Sequence, residues 1–211
     1  MFFKKTEMVA PDRALPGRPQ QQFALSERHK VLDAPLVTDV VPEGLEVALF
    51  GLGCFWGAEE IFWRMPGVWS TSVGYAGGTT PHPSYDEVCS GMTGHTEAVR
   101  VVFDPDTVSY ADLVRAFYEV HDPTQGYRQG NDIGTQYRSA IYFFSEEQEQ
   151  VARQITEAYG PVIARAGYGA ITTEIKPAPT YYYAEDYHQQ YLYKNPNGYR
   201  CHSATGIKVP V

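Results

Sequence analysis

A two-layer α/β sandwich around one mixed sheet is the fold class that the sequence predicts, on three observations. Short apolar runs, most of them closed by glycine or proline, recur at residues 45–50, 68–75, 95–103, 138–144 and 171–175, the lengths and boundaries of strands. Stretches of helical period lie among them, two of which open on capping-box signals. The chain has 211 residues, 43% hydrophobic and 20% charged, so a sizeable core is available and wholesale disorder is excluded.

Residues 1–44 are rich in proline, glutamine and charge and carry little periodicity, which reads as an irregular arm, wrapped on the core or partly mobile. Its plain role is a packing or solubility extension. The folded domain is expected over residues 45–199. Its first strand, residues 45–50, runs into Gly51 and Gly53. Apolar residues at 54, 55, 58, 61, 62 and 65 then predict a helix with one buried face, ended by Pro66 and Gly67. A second strand spans 68–75, and Gly77 and Gly78 open a long loop reaching about Gly94. Ala98, Val99, Val101 and Phe103 mark a third strand, and Ser109 with Asp112 starts a helix carrying Leu113, Val114, Phe117 and Tyr118 inward. A glycine-rich polar stretch at 122–134 precedes the strand at 138–144. Ser145 with Gln148 starts another helix, with Val151, Ile155, Ala158 and Tyr159 inward. A strand near 171–175, a tyrosine-rich segment and a tail at 200–211 complete the order.

Seventeen Lys and Arg against 25 Asp and Glu give a net charge of −8, which excludes the ordinary nucleic-acid and anionic-membrane binders. No apolar run reaches the roughly 18 residues of a membrane span. Residues 1–10 lack the long apolar stretch of a signal peptide, so a cytoplasmic location is expected. Cys54, Cys89 and Cys201 are too few and too scattered for a disulfide framework, and no spacing suits a structural zinc site. Neither a metal nor a cofactor is expected, and the chain is expected to be a monomer.

An odd cysteine count raises the question of a nucleophile, and Cys54 is the candidate. It stands where a strand turns into a helix, near unpaired amides and the positive end of the helix dipole. Both favour thiolate, so a lowered pKa is expected. A lone cysteine is more often buried and inert. Here two preceding glycines permit a close approach, and Phe55 and Trp56 can wall a small apolar pocket beside the sulfur, which favours the functional reading. The glycines at 51, 53 and 57 superficially resemble a dinucleotide loop. Large aromatics stand where backbone would touch pyrophosphate, and no acid about 20 residues on would hold a ribose, so that reading is rejected.

A second constellation joins Glu97, Tyr85, Asp132 and Tyr137, all at loop or strand-edge positions. A carboxyl desolvated by aromatics has a raised pKa and can protonate a leaving oxygen near neutrality. Each of these residues alone has an ordinary structural reading. His95, His121 and His188 read as structural rather than catalytic. Cys201 lies in a tail of turn-formers, placed to travel to another sulfur, or is an incidental surface thiol. Cys89 has no assigned role.

Together these residues closely resemble the type A peptide-methionine sulfoxide reductases, specific for the S epimer. The resemblance rests on Gly53-Cys54-Phe55-Trp56-Gly57, on residues 94–97, on 130–139 and on 185–191, and spans about residues 45–199; the arm around residues 15–18 is also similar to that of longer members. It implies an α/β plait similar to a ferredoxin-like fold. It also implies roles: Cys54 attacks the sulfoxide sulfur, Phe55 and Trp56 hold the methyl group, and Glu97 protonates the oxygen with help from Tyr85 and Tyr137. Asp132 grips the substrate backbone amide. Cys201 condenses with the Cys54 sulfenic acid to a disulfide that thioredoxin reduces. The substrates implied are free methionine sulfoxide and oxidised proteins under repair. Some members carry a further recycling cysteine in the tail, and this chain has none after Cys201. A single Cys54–Cys201 step is therefore expected; should Cys201 not reach, Cys89 or an external thiol would resolve the sulfenic acid.

Two rivals remain at this stage. A cysteine hydrolase would pair Cys54 with a base such as His95 or His188 and consume no reductant. A peptide-binding domain would use the aromatics as a groove and would tolerate Cys54→Ser.

Overall fold

The computed structural model describes residues 6–201 and 203–210; the opening residues 1–5, which contribute to the signal-peptide reading, lie outside them. Strand β1 (Glu46–Leu52) leads through Gly53 and Cys54 into helix α1 (Phe55–Trp63), and β2 (Val68–Ala76) follows. A five-residue helix, α2 (Tyr85–Cys89), interrupts the expected loop. It is nucleated by a capping box in which Ser84 and Glu87 satisfy each other's backbone amides. Strand β3 (Thr96–Phe103) and helix α3 (Tyr110–Glu119) come next, the latter with its Ser109/Asp112 box formed and Leu113, Val114, Phe117 and Tyr118 buried.

The polar stretch at 122–134 folds as a two-residue hairpin, β4 (Arg128–Gln129) and β5 (Asp132–Ile133). Strand β6 (Ser139–Phe143) precedes α4 (Glu146–Arg165). Ser145 caps α4, but the Gln148 side chain turns instead to the Val47 carbonyl and the Phe144 amide. The inward face of α4 is Gln148, Ala152, Ile155, Tyr159 and Ile163, so Ala158, expected inside, is exposed. Strand β7 (Glu174–Pro177) starts later than expected, because parallel pairing with β6 from Ala140 to Phe143 sets its register. Strand β8 (Tyr181–Tyr183) and helix α5 (Tyr191–Lys194) precede the tail.

Six strands form one sheet in the order β7-β6-β1-β3-β2-β8, antiparallel except for β6 with β7. This is the expected mixed α+β sheet. One face carries Phe50, Tyr75, Val99, Val101 and Ile141 against α1, α3 and α4 in the main core. The other presents a smaller set, Leu49, Ala76, Ala98, Ala140 and Tyr142. The arm lies on this framework at spaced anchor points: Leu15 N to the Met92 carbonyl, Arg18 to Glu87, Ser26 N to Asp186, and Thr38 to Arg100.

Candidate active site

Gly53 explains how Cys54 reaches its place. Its φ of +92° is left-handed, and a Cβ there would come within 2.7 Å of the Gln129 side chain. The β4–β5 hairpin can therefore close over the turn. Cys54 is the N-cap of α1. The amides of Trp56 and Gly57 favour its thiolate, as the sequence suggests, yet its pKa is pushed well up. Burial is the largest cause and the nearby Glu97 the next, and together they outweigh the helix terminus. The expected lowered thiol pKa is thus reversed in the resting protein.

Glu97 sits in β3 opposite Tyr75 of β2 and is 1% exposed. Its Oε2 accepts the Phe55 amide at 2.9 Å, which ties the carboxyl to the first turn of α1. Burial pushes its pKa up to about 8, with Asp132 adding to the rise. It is therefore mostly a carboxylic acid at neutrality, a proton donor rather than a charge. Tyr85 opens α2, its amide held by Glu185 Oε1 at 2.9 Å and its ring stacked on Phe55 at 6.5 Å. Tyr137 ends a short 3-10 turn. Burial raises both phenols, and both feel Glu97, so the two hydroxyls stay protonated donors around that carboxyl.

Phe55 is buried beneath this group, against Tyr75 and His188 at 5.9 and 5.2 Å. Trp56 lies at the rim. Its indole stacks on Tyr191 at 3.9 Å and its Nε1–H donates to His188 Nδ1 at 3.0 Å. Asp132, on β5, is raised by burial and receives the Tyr199 hydroxyl at 3.2 Å on both oxygens.

Cys201 is brought to the same place. It and Cys54 line one cavity of about 460 Å³, together with Gly57 and Gln129. The Cys201 thiol donates to the Gln129 carbonyl at 3.4 Å, and Arg200 beside it clamps Glu60 of α1 at 2.7 and 3.1 Å. All three cysteines are thiols. Cys89 lies near both phenols, and its side chain hydrogen-bonds that of Tyr85.

Three buried histidines, His95, His121 and His188, have no ring-nitrogen lone pair left to act as a hydrolase base. His95 is fixed between the Gly78 amide and the Thr80 carbonyl, at 3.0 and 2.7 Å. His121 is held by the Phe117 carbonyl and Ser139 at 2.6 and 2.8 Å. His188 spends Nδ1 on Trp56, and burial lowers it to about 3. What surrounds the thiol is an acid and two phenols.

A profile of the family described as peptide methionine sulfoxide reductase matches residues 46–209. The chain belongs to the peptide methionine sulfoxide reductase family. It is 59% identical to a peptide methionine sulfoxide reductase MsrA 1 from Synechocystis sp., covering all of this chain and 94% of that one. Among solved structures, methionine sulfoxide reductase A of Corynebacterium diphtheriae superposes with a TM-score of 0.86 at 51% identity, covering 97% of this chain and 100% of that one. The reduced form of Mxr1 from Saccharomyces cerevisiae gives 0.71 at 35% identity, covering 77% and 93%. Mxr1 has also been solved in complex with Trx2.

Around this reductase site stand residues assigned no part in sulfoxide reduction from the sequence. Glu185 accepts the Tyr75 hydroxyl and the Tyr85 amide, at 2.8 and 2.9 Å. His188 turns its Nε2 inward with no hydrogen-bond partner among the described residues, 3.9 Å from Glu185. Glu59 of α1 is wholly buried, with a pKa raised by burial to about 7. The available signal is a glutamate between Ala58 and Phe62 on the buried face of a short helix. Among the described residues no helix is long and apolar enough to cross a membrane.

Proposed function

We propose that this chain reduces the S epimer of methionine sulfoxide, free or in oxidised proteins, with Cys54 as nucleophile and Glu97 as general acid. One observation carries the reading: the Phe55 amide, next to the thiol, holds a buried carboxyl whose pKa burial raises to about 8. A sulfoxide oxygen is a poor leaving group until protonated, and a buried acid with a pKa near 8 is matched to that task.

The sulfoxide methyl group rests against Phe55 and Trp56, its oxygen faces Glu97, Tyr85 and Tyr137, and the substrate's backbone amide meets Asp132. Cys54 attacks the sulfur as the Glu97 proton passes to the oxygen. The carboxylate left behind takes the thiol proton, which accounts for activity from a thiol whose own pKa is raised. Methionine departs, Cys54 holds the oxygen as a sulfenic acid, and Glu97 is protonated again. Cys201 then condenses with the sulfenic acid, giving the Cys54–Cys201 disulfide and water. A thioredoxin dithiol restores both thiols and leaves as its disulfide. The shared cavity of Cys54 and Cys201 supports the resolving step, and the Mxr1–Trx2 complex supports the reductant.

The test is turnover of the separated sulfoxide epimers with dithiothreitol and then with thioredoxin. Cys54→Ser is expected to abolish S-epimer reduction. Cys201→Ser is expected to release one methionine per enzyme in a single turnover, to cycle with dithiothreitol and to stall with thioredoxin. Turnover surviving Cys54→Ser, or equal rates on the two epimers, overturns the reading.

A further inference from the structure

The chemistry above leaves the wholly buried carboxyl of Glu59 unused. Glu59 lies one helical turn beyond Trp56 on α1, and three neutral donors converge on it. Gln190 N reaches Oε2 at 2.8 Å, Gln190 Nε2 reaches Oε1 at 2.8 Å, and the Thr71 hydroxyl reaches Oε1 at 2.9 Å. Behind Thr71 stands His29 of the arm. Its Nδ1 accepts the amides of Val31 and Leu32, at 3.1 and 3.0 Å, so the ring proton is on Nε2. That Nε2–H donates to Thr71 Oγ1 at 2.8 Å, leaving the hydroxyl hydrogen for Glu59.

Gln190 gives its remaining side-chain atom, Oε1, to the Lys30 amide at 3.2 Å. Its backbone is left-handed, φ 47° and ψ 44°, a conformation that a non-glycine residue holds only when its surroundings impose it. The next residue is Tyr191, whose ring lies on the Trp56 indole at 3.9 Å and 15°. Two residues of α1, one turn apart, thus grip two consecutive residues at the start of α5: Glu59 holds Gln190 while Trp56 receives Tyr191.

We propose that Glu59 and Gln190 are positioning residues for the substrate's methyl group. Their paired hydrogen bonds hold the left-handed turn at Gln190, and that turn fixes the Tyr191 ring behind the Trp56 wall. The inference rests on the reading that Trp56 walls the methyl pocket. A pocket of fixed walls can refuse one extra methylene, a discrimination of about 10- to 200-fold, and walls free to shift lose it. The network therefore sets the preference for a methyl over an ethyl sulfoxide.

The experiment compares kcat and KM for the S epimers of methionine sulfoxide and ethionine sulfoxide, with dithiothreitol, in the full chain and in Gln190→Gly, Glu59→Gln and Trp56→Phe. Gln190→Gly accepts a positive φ without strain, so it folds while losing only the side-chain hydrogen bonds. Glu59→Gln turns an N–H toward donors that need an acceptor. For Gln190→Gly the methyl-over-ethyl preference is expected to fall about 10-fold, the loss of one methylene's discrimination, with KM for methionine sulfoxide raised and kcat within about twofold. Glu59→Gln is expected to follow it, and Gln190→Gly alone decides if Glu59→Gln does not fold. Should Gln190→Gly keep the wild-type preference while Trp56→Phe loses it, the positioning role is overturned and the pocket reading stands. Should Trp56→Phe keep it too, the pocket reading fails and takes the inference with it.

Discussion

Two buried glutamates meet α1, Glu59 from within the helix and Glu97 from β3 through the Phe55 amide, and their surroundings differ. Glu59 and Glu97 are 0% and 1% exposed, and burial raises both. At the rear, Glu59 receives three donors and rises only to about 7. At the front, Glu97 receives the Phe55 amide, has Asp132 nearby, and rises to about 8. Every donor favours the ionised form, so the richly supplied carboxyl serves as a fixed acceptor. The sparsely supplied one keeps a proton to give. Burial makes a carboxyl unusual, and its donors decide which job it does.

The sharpest way to break this comparison is to remove the proton from each site while keeping the shape. Glu97→Gln is expected to lower kcat by about 10²- to 10⁴-fold, the usual contribution of a general acid, while Glu59→Gln changes kcat far less. Equal losses in steady-state kcat would erase the distinction between front and rear. Wild-type kcat/KM should also fall as pH rises through about 8, where Glu97 loses its proton.

Stability separates the two by pH. An unfolded glutamate ionises near 4.5, whereas folded Glu97 keeps its proton to about 8. The native state therefore binds more protons across that window, and stability is lost as pH rises through it. Glu97→Gln should remove part of this decline, on the order of 2–5 kcal/mol between pH 5 and 9. For Glu59 the window closes near 7. Urea unfolding at pH 5, 7 and 9 reads both, and a Glu97→Gln curve parallel to wild type would contradict the raised acid.

Smaller effects test how thinly the front is supplied. Tyr85→Phe and Tyr137→Phe should each cost about tenfold in kcat, the worth of one hydrogen bond to a developing charge, and the double variant more than either. Unchanged rates would place the phenols outside the chemistry. Least of all, Tyr199→Phe removes the tyrosine's hydrogen bonds to the two oxygens of Asp132 and should change KM for a peptide substrate only about two- to threefold. A large kcat loss there would mean that the tyrosine does more than occupy that carboxylate.

Much of the frame was legible because local pattern and tertiary need agree. Strand β1, helix α1, strand β3 and helix α3 lie within a few residues of their expected bounds, since apolar period and caps mark them. Helix α2 went unread although Ser84 and Glu87 spell a capping box, because two prolines and two glycines nearby suggest loop. The start of β7 depends on a parallel partner, which no local signal reveals. Of the site, the residues around Cys54 could be collected from the sequence. The thiol's raised pKa could not, because a helix terminus is visible in a sequence and the burial that overrides it is not. Gln190 escaped for a related reason: a left-handed glutamine leaves no mark until its neighbours are known.

The outer strands of the sheet matter for a reductase whose substrates include damaged polypeptides. An unguarded strand edge offers free amides and carbonyls on which a loose chain can add itself. Here β7 is four residues long, carries Glu174 and Lys176 and ends on Pro177, which has no amide to offer. On the opposite side β8 is three residues long, and the Tyr183 hydroxyl is occupied by the Thr38 amide and Asp39 of the arm. Both margins of the sheet are thus short, and the one at β7 is also charged and ended by proline, features that make a strand edge a poor template for a loose chain.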